Sequence, residues 1–372
     1  VGEGVVDVDG VRTDLPGVDL RAVAAHDGQL VAVGDVGAIW VSDDGASWTD
    51  VSTDPLALRH VVHTGRAWVA LSEEEVVMGS TDGRSWSQVG SKGLTDVVAI
   101  DGVLYGSVDG GLQRSDDDGA TWRDAAQIAY PEGARYINGE TPGEDGADPT
   151  FQDATLLLLW CAAFAPGGRI YIGTIPGGLF VSTNGGESFE LNRPLWDHES
   201  RGGDLFAGDG NGKTHWHGTP ASSGGEFAPG IHSIVVDPND ADHLLVAIST
   251  AGVLESTDGG QSWRGANEGM LNDYLPNPAA EWGHDPHLIA MCPSQPNHVW
   301  QQNHSGVFYS TDAAKTWKPV SAPDQGVHFG FPVAVDEKDG RCAWLVPGRA
   351  DDQRMTIDGG LFVARTTDGG ET

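Results

Sequence analysis

One short motif occurs seven times along the chain, and it narrows the possible folds more than any other feature. The copies are Ser42-Asp-Asp-Gly-Ala-Ser-Trp48, Ser80-Thr-Asp-Gly-Arg-Ser-Trp86, Ser115-Asp-Asp-Asp-Gly-Ala-Thr-Trp122, Ser182-Thr-Asn-Gly-Gly-Glu-Ser-Phe189, Ser256-Thr-Asp-Gly-Gly-Gln-Ser-Trp263, Ser310-Thr-Asp-Ala-Ala-Lys-Thr-Trp317 and Thr366-Thr-Asp-Gly-Gly-Glu-Thr372. The Asp or Asn two residues after the first hydroxyl caps backbone donors of a turn, and Gly supplies positive φ. The aromatic opens the next strand. Two or three short apolar runs precede each copy, such as Leu20–Ala25, Gln29–Gly34 and Ala38–Val41, or Ile231–Asp237, His243–Ser249 and Gly252–Ser256. Each unit therefore reads as four short antiparallel strands with the motif joining the third to the fourth. Hardly any segment has the period of a long helix. Four-stranded units repeated in tandem are propeller blades. The predicted fold is all-β, a single seven-bladed β-propeller over 1–372, with blades near 15–52, 53–90, 91–127, 155–192, 229–266, 285–320 and 327–372. The seventh motif stops one residue short of its aromatic, so the last strand is expected to be missing, and Val5–Val11 is a candidate closing strand.

Composition excludes several functions. The 372 residues carry 54 acidic against 21 basic side chains, a formal net charge of −33, with only five Lys. A phosphate-backbone binder needs clustered Lys and Arg, and a polybasic membrane stripe needs Lys, so no nucleic-acid or membrane partner is expected. The longest apolar run, Leu156–Ala165, is about half a bilayer span. Asp outnumbers Glu by 38 to 16; the turns absorb many of these, and the remainder suits a hydrated surface, with salt adaptation as an alternative. Cys161, Cys292 and Cys342 have no CxxC spacing and read as buried free thiols rather than a disulfide framework or zinc ribbon. No signal peptide is visible, but the chain starts at Val1, and both a cytoplasmic and a secreted location stay open.

The repeat resembles the Asp-box, or BNR repeat, of sialidases, sortilin-like receptors, xyloglucan-type glucanases and photosystem assembly factors. The first two copies are one residue shorter than the usual S-x-D-x-G-x-[ST]-W, and the sixth has Ala for Gly. In those families the box is a folding element away from the active site, which implies a structural role here. The F/Y-R-I-P signature of sialidases and their three carboxylate-gripping arginines are not found. The stretches 229–238 (PGIHSIVVDP), 285–293 (DPHLIAMCP), 303–312 (NHSGVFYSTD) and 328–335 (HFGFPVAV) are similar to bacterial glycosyl-hydrolase-like BNR proteins of unsettled activity.

The functional signal lies where the repeat becomes irregular. Motif starts are 38, 35, 67, 74, 54 and 56 residues apart. The extra residues enter at Asp124–Thr155, Asn192–Pro229 and Ala266–Asp285, connections expected on the top face, where loops held by a rigid scaffold carry function. Ten of the 13 His lie at or after His198. Aligning the innermost strands sets His60, Asp96, Trp160, His232, His287 and Phe331 at equivalent places, with His304 in a connection reaching the same face. Several imidazoles in one pocket suggest a divalent transition metal (Zn, Mn, Fe or Cu) held by His60, His232, His287 and His304. Some seven-bladed polysaccharide lyases, similar in architecture, have such pockets. His232, His287, His304, Asp285 and Glu281 are the candidate catalytic groups. Arg59 and Arg21, just before the aligned position, are candidates to grip a substrate carboxylate, and Trp160 and Trp282 to stack on a sugar.

Other loop residues offer the same chemistry: His215 and His217 as an HxH pair, the carboxylates Glu140, Asp145, Asp148, Asp153, Asp197 and Glu226, and the indoles Trp196 and Trp216. For each, a solvated or packed loop residue is the plainer reading. Asp209-Gly-Asn-Gly-Lys opens like a calcium loop but lacks the downstream bidentate Glu. Two functions follow. One is a carbohydrate-active enzyme, a glycoside hydrolase or polysaccharide lyase on a glycan or acidic small molecule. The other is a non-catalytic binding or assembly propeller, like the photosystem assembly factors, although those use a basic patch that this chain does not match.

Overall fold

The structure is a computed structural model. It describes residues 4–371 except 9–10, 16–19, 54–55, 95, 101, 109–110, 126–127, 133, 139–149, 202–229, 273–276, 351–352, 354 and 358–362. The protein is all-β, and among the described residues seven antiparallel sheets follow in sequence order as blades, beside two two-stranded hairpins. Six have four strands, and in the seventh three are described (Phe329–Val335, Ala343–Gly348 and Ala364–Thr366). Each sheet is a meander in which sequence neighbours pair, as hairpin-linked strands do. The chain forms two compact units. Residues 1–127 with 358–363 hold blades one to three, and 128–357 with 364–372 hold blades four to seven.

The segment Gly4–Val8 pairs with Val11–Leu15 as a separate two-stranded hairpin, so Val5–Val11 is not an added strand of any blade among the described residues. The first insertion contains a second such hairpin, Arg135–Asn138 with Thr150–Asp153. The second begins with a one-turn helix, Arg193–Trp196, capped by Asn192 Oδ1.

The repeated turn has the same bonding in blade after blade. In blade five the Ser256 hydroxyl donates to Asp258 Oδ1 at 2.8 Å and accepts from Gly260 N. Asp258 Oδ1 in turn accepts from the amides of Gln261 and Ser262. Ser42 and Asp44, Ser310 and Asp312, and Thr366 and Asp368 repeat the hydroxyl–carboxylate contact. These carboxylates replace water for donors that the turn leaves unpaired. The amides of Ser47 and Ala46 accordingly hold the Asp44 carboxyl down at about 2. Blade six keeps this bonding without glycine. Ala313 and Ala314 occupy φ of +61° and +65°, where Cβ crowds the backbone.

Cores form between successive blades of a unit. Leu244, Val246, Ile248 and Leu254 of blade five pack with Ile231, Tyr171 and Leu179. Trp300 of blade six is fully buried and donates its indole N–H to Gly340 O at 2.8 Å. Each such aliphatic side chain contributes about 1.5–3 kcal/mol of transfer free energy. Cys161, Cys292 and Cys342 are free thiols, the last two buried.

Candidate functional site

The first strands of the blades share an irregularity that the repeat does not reveal. In Leu20–His26 the pairing skips Arg21, in Leu58–His63 Arg59, in Leu158–Phe164 Trp160, in Ile231–Asp237 His232 and in Pro286–Met291 His287. In Phe329–Val335 it skips Phe331 and Pro332. Each skipped residue lies on a β-bulge, which bends the strand and re-aims one side chain. Six blades thus present a bulge residue at the same step of the repeat, close to the start of the strand.

This register corrects the predicted alignment. The equivalent of His232 and His287 in blade two is Arg59, and His60 falls one residue past it. Blade three has no bulge in Asp96–Ile100, where Asp96 pairs directly with Ser107. Arg21 and Arg59 occupy the bulges themselves rather than the position before them. Arg21 is already engaged by Asp35 at 2.8 Å and Glu73 at 3.4 Å, while Arg59 donates to Leu94 O. Both guanidiniums therefore have partners within the fold. His60 stands 3.3 Å from Asp96 in the first unit, where burial raises the Asp96 carboxyl to about 7 despite the Val97 amide and Arg59.

In the second unit the bulge residues of four consecutive blades touch in order. The Trp160 and His232 ring centroids lie 4.4 Å apart, those of His232 and His287 6.3 Å, and His287 stacks on Phe331 at 4.5 Å. Trp160 and Phe331, at the two ends, are 39% and 43% exposed, whereas His287 is buried. An aromatic arc with wet ends and a buried histidine in the middle results.

Asp285 sits beneath the centre of this arc. Pro286 pairs with Asn303, so the ladder places Asp285 opposite His304, whose amide donates to Asp285 O at 2.9 Å. Asp285 Oδ2 is 3.5 Å from His304 Nδ1 and 3.7 Å from His287 Nε2. Its Oδ1 accepts from Ser249 Oγ at 3.1 Å and from the Thr250 amide at 3.3 Å. Thr250 takes φ +59°, a left-handed conformation that a β-branched residue rarely adopts and that clusters at functional sites. His287 Nδ1 donates to Gly330 O at 2.6 Å, which leaves Nε2 facing Asp285. Phe329 closes the side, edge-on to both His287 and His304.

The electrostatics follow from this packing. Burial opposes ionisation of Asp285, but the facing nitrogens of His287 and His304 override it and hold the carboxyl well below the ordinary range. Burial pushes His232 down, against the pull of Asp285, so its imidazole is neutral near pH 7. A half-buried carboxylate among imidazoles, beside an exposed aromatic surface, can shuttle a proton, orient a water or hold a cation. The metal-capable group among the described residues is Asp285, His287 and His304, with all ligand atoms within 4.8 Å of one another. His232 borders that group, whose third member is a carboxylate, Asp285.

The remaining candidates lie elsewhere. Glu281 is exposed, with its carboxylate and the Trp282 ring against Gly265 in the last strand of blade five. Trp282 packs on the core between blades four and five and meets His198 edge-on at 5.5 Å, so it acts as loop core. Trp196 is buried under the Arg201 guanidinium at 3.5 Å, and Asp197 pairs with Arg193 at 2.7 Å. His215, Trp216, His217, Glu226, Glu140, Asp145, Asp148 and the stretch 209–213 lie outside the described residues. Sequence reasoning misses Ser249, Thr250, Phe329 and Gly330. These are ordinary residues whose roles depend on neighbouring strands.

Comparisons with known proteins reach the fold and stop there. No protein-family model matches the chain, and no curated protein matches its sequence. Among solved structures it is similar to "YCF48 bound to D1 peptide", at 14% identity and TM-score 0.54 over 94% of this chain and 93% of that one. It is similar to a GH74 xyloglucanase from Xanthomonas campestris at 19% identity and TM-score 0.53, over 95% of this chain but 56% of that one. A chain of the Mitotic Checkpoint Complex matches at 11% identity and TM-score 0.55, over 99% and 92%. At such identities the likeness shows a fold, the seven-bladed β-propeller, whose members differ in function. No helix among the described residues is long and apolar enough to cross a membrane.

Proposed function

We propose that this protein is a carbohydrate-active enzyme, a glycoside hydrolase or lyase, working at the Trp160–His232–His287–Phe331 arc with Asp285 and His304 as its polar centre. The observation that carries this reading is the run of four bulges that sets exposed aromatic rings on either side of a half-buried carboxylate–imidazole group. Aromatic faces suit the C–H faces of sugar rings, and the polar centre supplies proton transfer where a glycosidic bond would lie. The left-handed Thr250 and the ionised carboxylate set among histidines support a catalytic centre over a plain binding surface. The solved xyloglucanase is a precedent for the scaffold in this class of chemistry. We assign the repeated hydroxyl–carboxylate turns to the Asp-box, on their shared bonding, with a purely structural role.

The competing reading is a propeller that binds a peptide, as the solved YCF48 does. The exposed Trp160 and Phe331 would serve an extended chain as well as a sugar. Incubation with neutral and acidic polysaccharides separates the two, with reducing ends and unsaturated products both followed. Release of either product, lost in Asp285→Asn, supports the enzyme. Binding of peptide with no product from any glycan supports the alternative.

A further inference from the structure

We propose that Asp285, His287 and His304 form a mononuclear binding site for a divalent transition metal ion, with one carboxylate oxygen and two imidazole nitrogens as ligands. This deepens the reading of the same arc as a carbohydrate-active site, but it rests on its own geometry and can be tested without a substrate.

Three features support it. First, the separations suit an ion better than direct hydrogen bonds. Asp285 Oδ2 lies 3.5 and 3.7 Å from His304 Nδ1 and His287 Nε2, beyond the usual N–H···O range of about 2.7–3.2 Å. Two donors on one tetrahedral zinc, at bonds of about 2.0–2.1 Å, stand about 3.4 Å apart.

Second, the orientation of the imidazoles converges on one point. His287 Nδ1 spends its hydrogen on Gly330 O. Nε2, the other ring nitrogen, is thereby turned toward the Asp285 carboxylate. His304 brings a second nitrogen to the same oxygen.

Third, the outer shell is built as it is in metal sites. The Gly330 carbonyl fixes the orientation of His287, and Ser249 and Thr250 hold the other oxygen of Asp285. Such partners set ligand geometry and basicity. Phe329 and Phe331 pack against the imidazoles and keep the surroundings apolar, while His304, with a quarter of its side chain exposed, leaves an approach from solvent. Two imidazoles and one carboxylate suit zinc, iron or manganese better than calcium. Three protein ligands leave a position for water or a substrate oxygen, where such an ion acidifies the one or polarises the other.

The test is isothermal titration of Zn2+ and Ca2+ into the full chain after chelator treatment and dialysis. The expected result is one Zn2+ bound per chain with no matching Ca2+ site. Asp285→Asn and His304→Gln should each weaken Zn2+ by about 100-fold or more, with far-UV circular dichroism unchanged. The double variant His215→Gln/His217→Gln should retain the site. Full-strength Zn2+ binding in folded Asp285→Asn and His304→Gln, or its loss only in the double variant, overturns the proposal. So does an unaltered protein that takes up no Zn2+. If Zn2+ binds as expected and no glycan is processed, the metal site stands and the carbohydrate reading fails. If glycan is processed by protein that binds no metal, the outcome is reversed.

Discussion

Asp285 and His304 are 19 positions apart, yet they face each other across the first two strands of blade six. The amide of His304 donates to the Asp285 carbonyl at 2.9 Å, and its Nδ1 stands 3.5 Å from the carboxylate. The strand register that stabilises the blade thus assembles half of the candidate site. Asp285 also takes hydrogen bonds from Ser249 and Thr250 of blade five, so the site spans a blade boundary inside the second unit.

The ends of the aromatic arc should matter to ligand and hardly at all to stability. Trp160 and Phe331 are each about 40% exposed, so Trp160→Ala and Phe331→Ala leave the denaturation midpoint nearly unchanged. Each truncation should weaken oligosaccharide affinity about 5- to 10-fold, the scale of one aromatic contact worth about 1 kcal/mol. Binding titrations beside denaturant melts check this. An unchanged affinity in both variants removes the arc from the site.

The sixth repeat turn stores removable strain. Ala313 holds φ +61° and is only half-buried, so Ala313→Gly loses little packing. Relief of the left-handed penalty, less the backbone entropy of Gly, should stabilise the protein by about 0.5–1 kcal/mol. A rise in the urea midpoint at constant slope is the expected readout. The same change at buried Ala314 removes a core methyl and should gain less.

A buried network in blade five predicts a pH profile. His243 lies between Glu255 at 3.0 Å and Asp237 at 3.2 Å, and Arg264 caps the far oxygen of Glu255. The Glu255 contact raises His243 above 6.5 despite burial. That stabilisation is complete below pH 6.5 and is lost as pH rises through the higher folded value. Burial works to raise Glu255, but His243 and Arg264 prevail and hold it below 4.5. Its contribution is present above pH 4.5 and is lost as pH falls. Stability from this network should therefore be greatest between about 4.5 and 6.5, and His243→Gln should flatten the alkaline limb in pH-dependent melts.

The turn carboxylates govern the acid limb. Asp44 and Asp258 are held at about 2 against an ordinary 3.8, Asp44 first by the Ser47 amide and Asp258 first by the Ser262 hydroxyl. Depressed carboxylates stabilise above their unfolded value, and the contribution fades as pH falls from 3.8 toward 2. Asp44→Asn/Asp258→Asn should show a shallower loss of stability over that window than the unaltered protein.

The blades are legible in the sequence because the turn motif is local. Ser, Asp, Gly and Trp lie within eight residues and carry their own hydrogen bonds, as the Ser256–Asp258–Gly260 contacts show. His232, His287 and His304 are legible as a group for a related reason, since histidine enrichment survives small errors of alignment. The exact register is not legible. A bulge adds one residue to a strand without marking it in composition, so alignment by sequence puts His60 where Arg59 belongs. Trp282 reads as a pocket aromatic because nothing near it in sequence reveals the core it covers. Thr250 and Gly330 enter the site through one backbone amide and one carbonyl, which every residue except proline possesses.

The proposed function places the chemistry of this protein at Asp285. Its most direct test is the rate of glycan cleavage by Asp285→Asn beside the unaltered protein, on the polysaccharide that the unaltered protein processes best. The expected result is a fall in kcat of about 100-fold or more, as for loss of a charge fixed at the reacting centre, with the fold intact by circular dichroism. A folded Asp285→Asn that cleaves at the unaltered rate, or an unaltered protein that cleaves no glycan, would contradict it.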